Sequence, residues 1–426
     1  MSTRRMTGFA TLPTLSEALS LLLEKTSTTH PDVEKVSLEH SLGRYCADDI
    51  FSPVDVPPFE KSAVDGYAVL AEDTFGASPN NPVYLVVKGF SHAGVRRMDV
   101  PKISQGEAVE IYTGAPLPEG ANAVVMAEHA KRIGEYVLEV TRQVHPLQNV
   151  SRVGEDFRMN ELVVARGTRI RSWHIGALAS LNITTIPVYK KVRVGVMSTG
   201  SELVEPGTQP SEGQVINSSK PMLKALLEEH GAEPVDWGTV EDDLGLIAAK
   251  ISEAVDVLDM LIVTGGTSVG GKDLVPEAVK KVDGSDIIFH GVRIRPAKPT
   301  GAAVVKGKPV FMLSGYPVSA ALGFMLFVKP LLERAYGRKS SMTCTVRGKL
   351  TRRVANPALT RTYVRVCVKR TPDGVLVEPL MLTGSGLLST LTKADGLLVV
   401  PEGVEGFEEG QEVEVELLHN ESGNKG

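Results

Sequence analysis

Cysteine is scarce in this chain of 426 residues. Cys46, Cys344 and Cys367 stand too far apart for zinc spacing or a disulfide framework, which excludes a stapled scaffold and fits a reducing cytoplasm. Long apolar runs are missing as well, and none reaches the length of a bilayer span. The first residues, MSTRRMTGFATLPTL, carry arginines but no continuous apolar stretch, so no signal peptide is expected. Positive charge is not in excess: the net charge is −5, which argues against a broad nucleic-acid surface. His40, His92, His129, His145, His174, His230 and His290 show no metal-ligand spacing. What is present is a hydrophobic share of 42%, enough for globular cores. The length allows roughly two to four domains.

The texture changes along the chain. Residues 14–25 have helical apolar spacing behind a Thr or Ser cap. Residues 33–58 hold a short strand, a turn at Gly43 and the extended SPVDVPPF. From 64 to 145, short strands alternate with Gly, Pro and Asn turns, which predicts a compact barrel or sandwich. Residues 150–188 read as strand then helix. From 191 the period changes. KVRVGVMSTG, EPVDWGTV, LDMLIVTGG, DIIFHGV, GAAVV and KPVFML read as strands, interleaved with helices and closed by the apolar helix PVSAALGFMLFVKPLLERAYG. Such alternation predicts a central doubly wound, mostly parallel sheet, making the chain a multidomain α/β protein. From about 342 a small C-terminal β domain follows.

The most telling stretch is DMLIVTGGTSVGGKD at 259–273. An apolar strand stops at Gly265-Gly266, then Thr267, Ser268, Gly270, Gly271, Lys272 and Asp273 lead into an amphipathic helix. Glycines let backbone N–H groups approach a ligand, and a helix N-terminus adds positive potential. The segment is built to hold a phosphate with a carboxylate beside it. A carboxylate repels a phosphate unless a cation lies between, so Asp273 points to Mg2+. Gly266, Gly271 and Lys272 fit a P-loop, but Asp273 stands where that loop needs Ser or Thr, which disfavours a nucleotide triphosphatase. A tight turn without ligand is the plain alternative.

A parallel sheet binds ligands beyond the carboxyl ends of its strands. Four loops belong there: Ser198 to Glu202, Glu241 to Asp243, the glycine-rich turn, and Ser314-Gly315-Tyr316-Pro317. RIRPAKPTG adds Arg293, Arg295 and Lys298, stiffened by Pro296 and Pro299. Carboxylates, N–H-rich turns and basic groups together fit a phosphorylated ligand with a divalent metal. Each has a plainer alternative. Asp242 and Asp243 suit helix caps, Glu202 a solvated loop, and the Pro-rich loop a surface turn. Farther back, Asp65-Gly66 and Thr113-Gly114 sit in turns, and Asp-Gly is common hairpin chemistry.

Seven motifs in order resemble the molybdopterin molybdenumtransferase family, to which the gephyrin E domain is related. They are PPFEKSAVDGYAV, IYTGAPLPEGANAVV, VGEDF, STGSELVEPG, TGGTSVGGKD, RPAKP and SGYPVSA. The resemblance covers essentially the whole chain. It implies an elongated, four-domain homodimer in the cytoplasm. The corresponding parts here are a discontinuous N-terminal domain at 10–57 and 150–188, an inserted β-rich domain at 58–149, the α/β domain at 189–338 and a β domain at 339–426. The implied reaction takes adenylyl-molybdopterin and molybdate or tungstate, with Mg2+, to molybdenum cofactor and AMP. Asp65, Glu202 and Asp273 would be catalytic, with Asp65 crossing a dimer interface. Glu202, Asp242, Asp243 and Asp273 would supply the metal site. Thr113, Gly265, Gly266, Thr267, Ser268, Gly270, Lys272, Arg295, Pro296, Lys298, Pro299, Ser314 and Gly315 would bind substrate. No Cys or Ser nucleophile is needed, because a metal ion can drive phosphoanhydride cleavage. A transient contact with the molybdopterin adenylyltransferase, and neither nucleic acid nor membrane as partner, completes the expectation.

The chain departs from the family pattern in four places. Lys61 stands for Asn, Ser201 for Asp, RPAKP for KPGKP and SGYPVS for PGNPVS. Two other functions share parts of the pattern. An adenylyltransferase shares the TGGTSVG-type domain but does not need Asp65 and Thr113. A gephyrin-like scaffold does not need the acidic set.

Overall fold

The computed structural model describes residues 12–26, 30–266, 274–338, 344–357, 360–380 and 384–418. The chain forms two compact units, Met1–Glu34 with Gly43–Ala47 and Val188–Gly426, and Lys35–Leu42 with Asp48–Pro187.

The first unit is built on a six-stranded sheet in the order Glu233–Val240, Arg193–Thr199, Met260–Thr264, Lys308–Leu313, Gly301–Val305, Ser285–His290. The first four strands are parallel, and Gly301–Val305 runs antiparallel to both of its neighbours. Alternate side chains enter opposite cores, as a strand period of two requires. Val194, Val196, Ile262, Phe311 and Leu313 join the core under the helices Ser219–Glu229 and Pro317–Gly323. Met197, Leu261, Val263, Val310 and Met312 join the core under Leu244–Val257 and Leu274–Lys281. This double winding is the architecture read from the alternating pattern.

The N-terminal helix Leu15–Lys25 packs Ala18 and Leu22 into the first of these cores and starts in a capping box of Thr14 and Glu17. The closing apolar helix forms in three pieces, with a π-helical stretch Phe324–Val328 between α-helical Pro317–Gly323 and Lys329–Ala335. Pro330 has no N–H to give to the carbonyl four residues back. One wide turn, with Lys329 N–H donating to Phe324 O, carries the helix past it.

The C-terminal strands close into a barrel. Arg361–Thr371, Gly374–Pro379, Thr345–Leu350, Glu412–Leu417 and Gly396–Val400 pair in sequence, and the last pairs back on the first. Ile294–Arg295 adds to this barrel in parallel, with Arg295 in register with Thr362.

The second unit holds a six-stranded sheet in the order Ala123–Met126, Gly66–Val69, Glu107–Ile111, Val83–Ser91, Val137–Val140, Ala130–Ile133. It is a single sheet, with one parallel pair between Val83–Ser91 and Glu107–Ile111. Here Asp65-Gly66 is not a hairpin turn. Gly66 is the first residue of a central strand, and a Cβ there would fall 1.9 Å from Val125 O. The glycine serves close strand approach, not turn geometry.

Candidate active site

The strand order reverses between Arg193–Thr199 and Met260–Thr264. Open parallel sheets bind ligands in the crevice beyond such a point. A cavity of about 880 Å³ opens there. All four strand-end loops reach its wall, through Thr199, Gly200 and Glu202, through Asp242, through Gly265 and Gly266, and through Ser314, Gly315 and Tyr316. Arg295, Pro296, Lys298 and Pro299 line it too.

The floor depends on glycine. Gly265 has φ +90°, and a Cβ there would lie 2.2 Å from Thr199 O. Across the same join Ser198 Oγ and Thr264 Oγ1 are 3.0 Å apart, and the buried Asn217 amide donates to Ser198 Oγ at 2.9 Å. Asn217 Oδ1 also accepts from Lys220 N–H at 3.3 Å. One side chain thus ties a strand end to the start of the Ser219–Glu229 helix.

The Glu202 loop is anchored from below. Lys220, its side chain 6% exposed, sets Nζ 2.6 Å from Glu205 and 3.2 Å from Asp236. The Thr239 hydroxyl donates to Glu205 at 2.8 Å, and Lys224 pairs with Asp236 at 3.2 Å. The Lys220 ammonium holds the Glu205 carboxyl below the usual range. At Asp236 burial pushes upward, but the Gly238 N–H, Lys224 and Lys220 outweigh it and hold that carboxyl low.

The adjacent aspartates separate. Asp243 caps the Leu244–Val257 helix, accepting from Leu246 N–H at 2.8 Å. Asp242 lines the cavity, and its N–H donates to Ser201 Oγ at 3.3 Å, linking two of the loops. In the basic loop, Ala297 takes a left-handed φ of +75°, uncommon for a residue with a Cβ. Thr300 donates to Ala297 O from both N and Oγ1, and Val292 N–H donates to Lys298 O at 2.9 Å. These bonds fix the loop while Lys298 itself stays exposed at the cavity wall.

The structure adds residues that sequence reasoning missed. Arg365, 3% exposed, comes from the barrel strand Arg361–Thr371 and lines the cavity with Ser385 and Gly386. Its Nε donates to Thr390 Oγ1 at 3.2 Å. Burial, then the nearby charge of Arg295, press its pKa down. An anion between two guanidiniums relieves that repulsion. The signal was a lone Arg inside the apolar run TYVRVCV, but nothing local connects that strand to the cleft.

Asp65 and Thr113, both exposed, belong to the second unit and bind one another. Thr113 donates to Asp65 Oδ1 from N and from Oγ1, each at 2.7 Å. Thr267, Ser268, Gly270, Lys272 and Asp273 lie outside the described residues. Among the described residues, no group of three or more His, Cys, Asp or Glu is gathered for a metal. Glu202 and Asp242 both line the cavity, and one or two carboxylates are the donor type that Mg2+ takes alongside phosphate oxygens and water.

A switch-point cleft with a glycine floor, carboxylates on one side and Arg295, Lys298 and Arg365 on the other defines an α/β domain suited to a phosphorylated ligand. Known proteins narrow the class. Models described as MoeA N-terminal region (domain I and II), probable molybdopterin binding domain and MoeA C-terminal region (domain IV) match residues 13–182, 195–334 and 347–418. A putative molybdopterin biosynthesis protein of Methanocaldococcus jannaschii is 40% identical, over 95% of this chain and 98% of its own. The molybdopterin molybdenumtransferase of Bacillus subtilis is 34% identical, over 92% of each. A crystal structure of a molybdopterin biosynthesis MoeA protein from Pyrococcus horikoshii superposes with a TM-score of 0.81 at 34% identity, covering 96% of this chain and all of that one. The chain belongs to the molybdopterin molybdenumtransferase family, a transferase family of molybdenum cofactor biosynthesis. Among the described residues, no helix is long and apolar enough to cross a membrane.

Proposed function

We propose that this chain transfers molybdenum, as molybdate or tungstate, to molybdopterin, using adenylyl-molybdopterin and releasing AMP. The observation that carries this reading is the convergence of four strand-end loops and three cationic side chains on one cavity.

Each side chain then has a task. Gly265 and Gly266 let the backbone approach a phosphate, and Ser314 and Gly315 border the same wall. Arg295 and Arg365 offer fork-shaped donors for an oxyanion, phosphate or molybdate alike, while Lys298 adds a point charge. Pro296 and Pro299 hold that loop stiff. Glu202 and Asp242 are the carboxylates that would hold Mg2+, with Asp273 assigned to the same set by family likeness. Asp243, engaged as a helix cap, serves this set only by fixing its neighbour. When bound, Mg2+ would neutralise phosphate charge and favour cleavage of the phosphoanhydride. Asp65, oriented by Thr113, is the carboxylate this reading takes from a second copy of the chain. A homodimer, a cytoplasmic location and a transient contact with the adenylyltransferase that makes the substrate belong to the same proposal.

The test is AMP release from adenylyl-molybdopterin, with and without molybdate and Mg2+. Asp273→Asn should abolish the molybdate-dependent release without changing the melting temperature. Full turnover by that variant would remove Asp273 from the mechanism.

A further inference from the structure

Among the described residues lining the cavity, Tyr316 is the only aromatic one, and it is 62% exposed. The ring sits on a fixed piece of backbone. Tyr316 N–H donates to Ser314 Oγ at 3.3 Å, and Tyr316 O accepts from Ala320 N–H at 2.9 Å as the Pro317–Gly323 helix begins. Val318 N–H donates to Ser385 O at 3.1 Å, which holds the 384–388 loop of the barrel against that helix start. The loop places Gly386 beside the ring. A Cβ on Gly386 would lie 3.3 Å from Tyr316 Cδ1 and 3.7 Å from Cε1. The glycine backbone therefore supports part of the ring, and more than half of the side chain stays open.

The tyrosine stands on a rigid mount in a cleft whose other walls combine glycine, serine and charge with aliphatic Leu203, Val215, Ile216 and Leu388. Glycine-rich backbone and cations answer phosphates, and carboxylates answer a metal. Aliphatic side chains can pack against a ring system, but none of these groups offers it an aromatic face. A tyrosine does, and aromatic faces stack in offset geometry and exclude water from both surfaces.

We infer that Tyr316 is a stacking platform for the fused-ring heteroaromatic part of the substrate, with the attached phosphate reaching toward Arg295 and Lys298. This rests on the reading of the cleft as a site for an adenylylated pterin. That substrate carries two such rings, adenine and pterin, and the chemistry of stacking is common to both. Tyr316 is thus a specificity residue and not a catalytic one.

Calorimetric titration of the full chain with three probes tests it: AMP, a pterin bearing a phosphomethyl group, and inorganic phosphate. Stacking of a base on an aromatic side chain corresponds to roughly a 5- to 150-fold change in affinity on truncation. Tyr316→Ala should weaken one ring-bearing probe by about 10-fold and leave inorganic phosphate unchanged, while Tyr316→Phe should bind like the wild type. Loss on the pterin arm assigns the ring to pterin, and loss on the AMP arm assigns it to adenine. Gly386→Ala, which crowds the ring without removing it, should weaken the same probe. Equal binding of both ring-bearing probes by wild type and Tyr316→Ala overturns the inference. So does a wild type that binds neither of them better than inorganic phosphate. In turnover, Tyr316→Ala should raise KM with kcat little changed. A wild type that releases no molybdate-dependent AMP but shows the Tyr316 effect in titration would overturn the proposed reaction and leave the stacking role standing.

Discussion

Asp65 Oδ1 accepts two hydrogen bonds from one residue, Thr113, from its backbone N–H and its hydroxyl, both at 2.7 Å. The Thr113 backbone bond, then the hydroxyl bond, hold the Asp65 carboxyl below its usual range. The folded state therefore favours the ionised form. Its contribution is complete above the ordinary aspartate value of about 3.9 and is lost as pH falls through the lower folded value. The pH–rate profile should accordingly show no Asp65 limb above about pH 4. Asp65→Asn should lower kcat by about 100-fold or more while the chain stays folded, as read by circular dichroism. Thr113→Val, which leaves the backbone bond, should raise the Asp65 pKa part of the way back, measurable by NMR titration of the carboxyl carbon.

The buried Lys220 allows magnitudes to decide between two variants. Its partners Glu205 and Asp236 keep side-chain exposures of 51% and 43%, so they can be rehydrated, while Lys220 cannot. Glu205→Ala with Asp236→Ala leaves a buried charge unpaired and should cost about 3–5 kcal/mol. Lys220→Met, similar in length and apolar, should cost clearly less. Urea unfolding of both variants checks the order, and the reverse order would show that the unpaired Lys220 charge is not the larger cost. Because both carboxyls are held low, the network's stabilisation is present above the unfolded carboxylate values and fades as pH falls below about 4.

Arg295 and Arg365 share one cavity wall, and burial with mutual repulsion lowers the pKa of Arg365. A bound oxyanion should stabilise this arrangement. Molybdate or phosphate should raise the melting temperature of the wild type in a concentration-dependent way. Arg365→Gln or Arg295→Gln should weaken that shift, corresponding to about 10-fold in anion affinity each. An unchanged shift in both variants would place the anion elsewhere.

Gly265 joins two strand ends at the switch point, where a Cβ would meet Thr199 O at 2.2 Å. Gly265→Ala must move one strand end or the other. It should cost at least about 1–3 kcal/mol and abolish ligand-induced stabilisation, read by thermal melts with and without phosphate.

Much of this site was legible because the chemistry of a parallel sheet collects at one edge. KVRVGVMSTG and LDMLIVTGG each read as a strand ending in glycine, and Thr199, Gly200, Gly265 and Gly266 do meet at the cavity. Local pattern could not separate Asp242 from Asp243, because one residue's offset decides which carboxylate caps the helix. It also misjudged Gly66, whose reason is a long-range approach to Val125 and not a local turn. Arg365 and Gly386 were invisible for a related cause. They come from the C-terminal domain, which long-range contacts bring to the cleft, Arg295 in register with Thr362 and Val318 N–H donating to Ser385 O.

Quenched-flow measurement of AMP from adenylyl-molybdopterin bound to the full chain with Mg2+ decides whether release is coupled to metal transfer. Fast AMP release is expected only when molybdate or tungstate is present, with one molybdenum or tungsten transferred per AMP. AMP release at the same rate without either oxyanion, or none with them, would contradict that coupling.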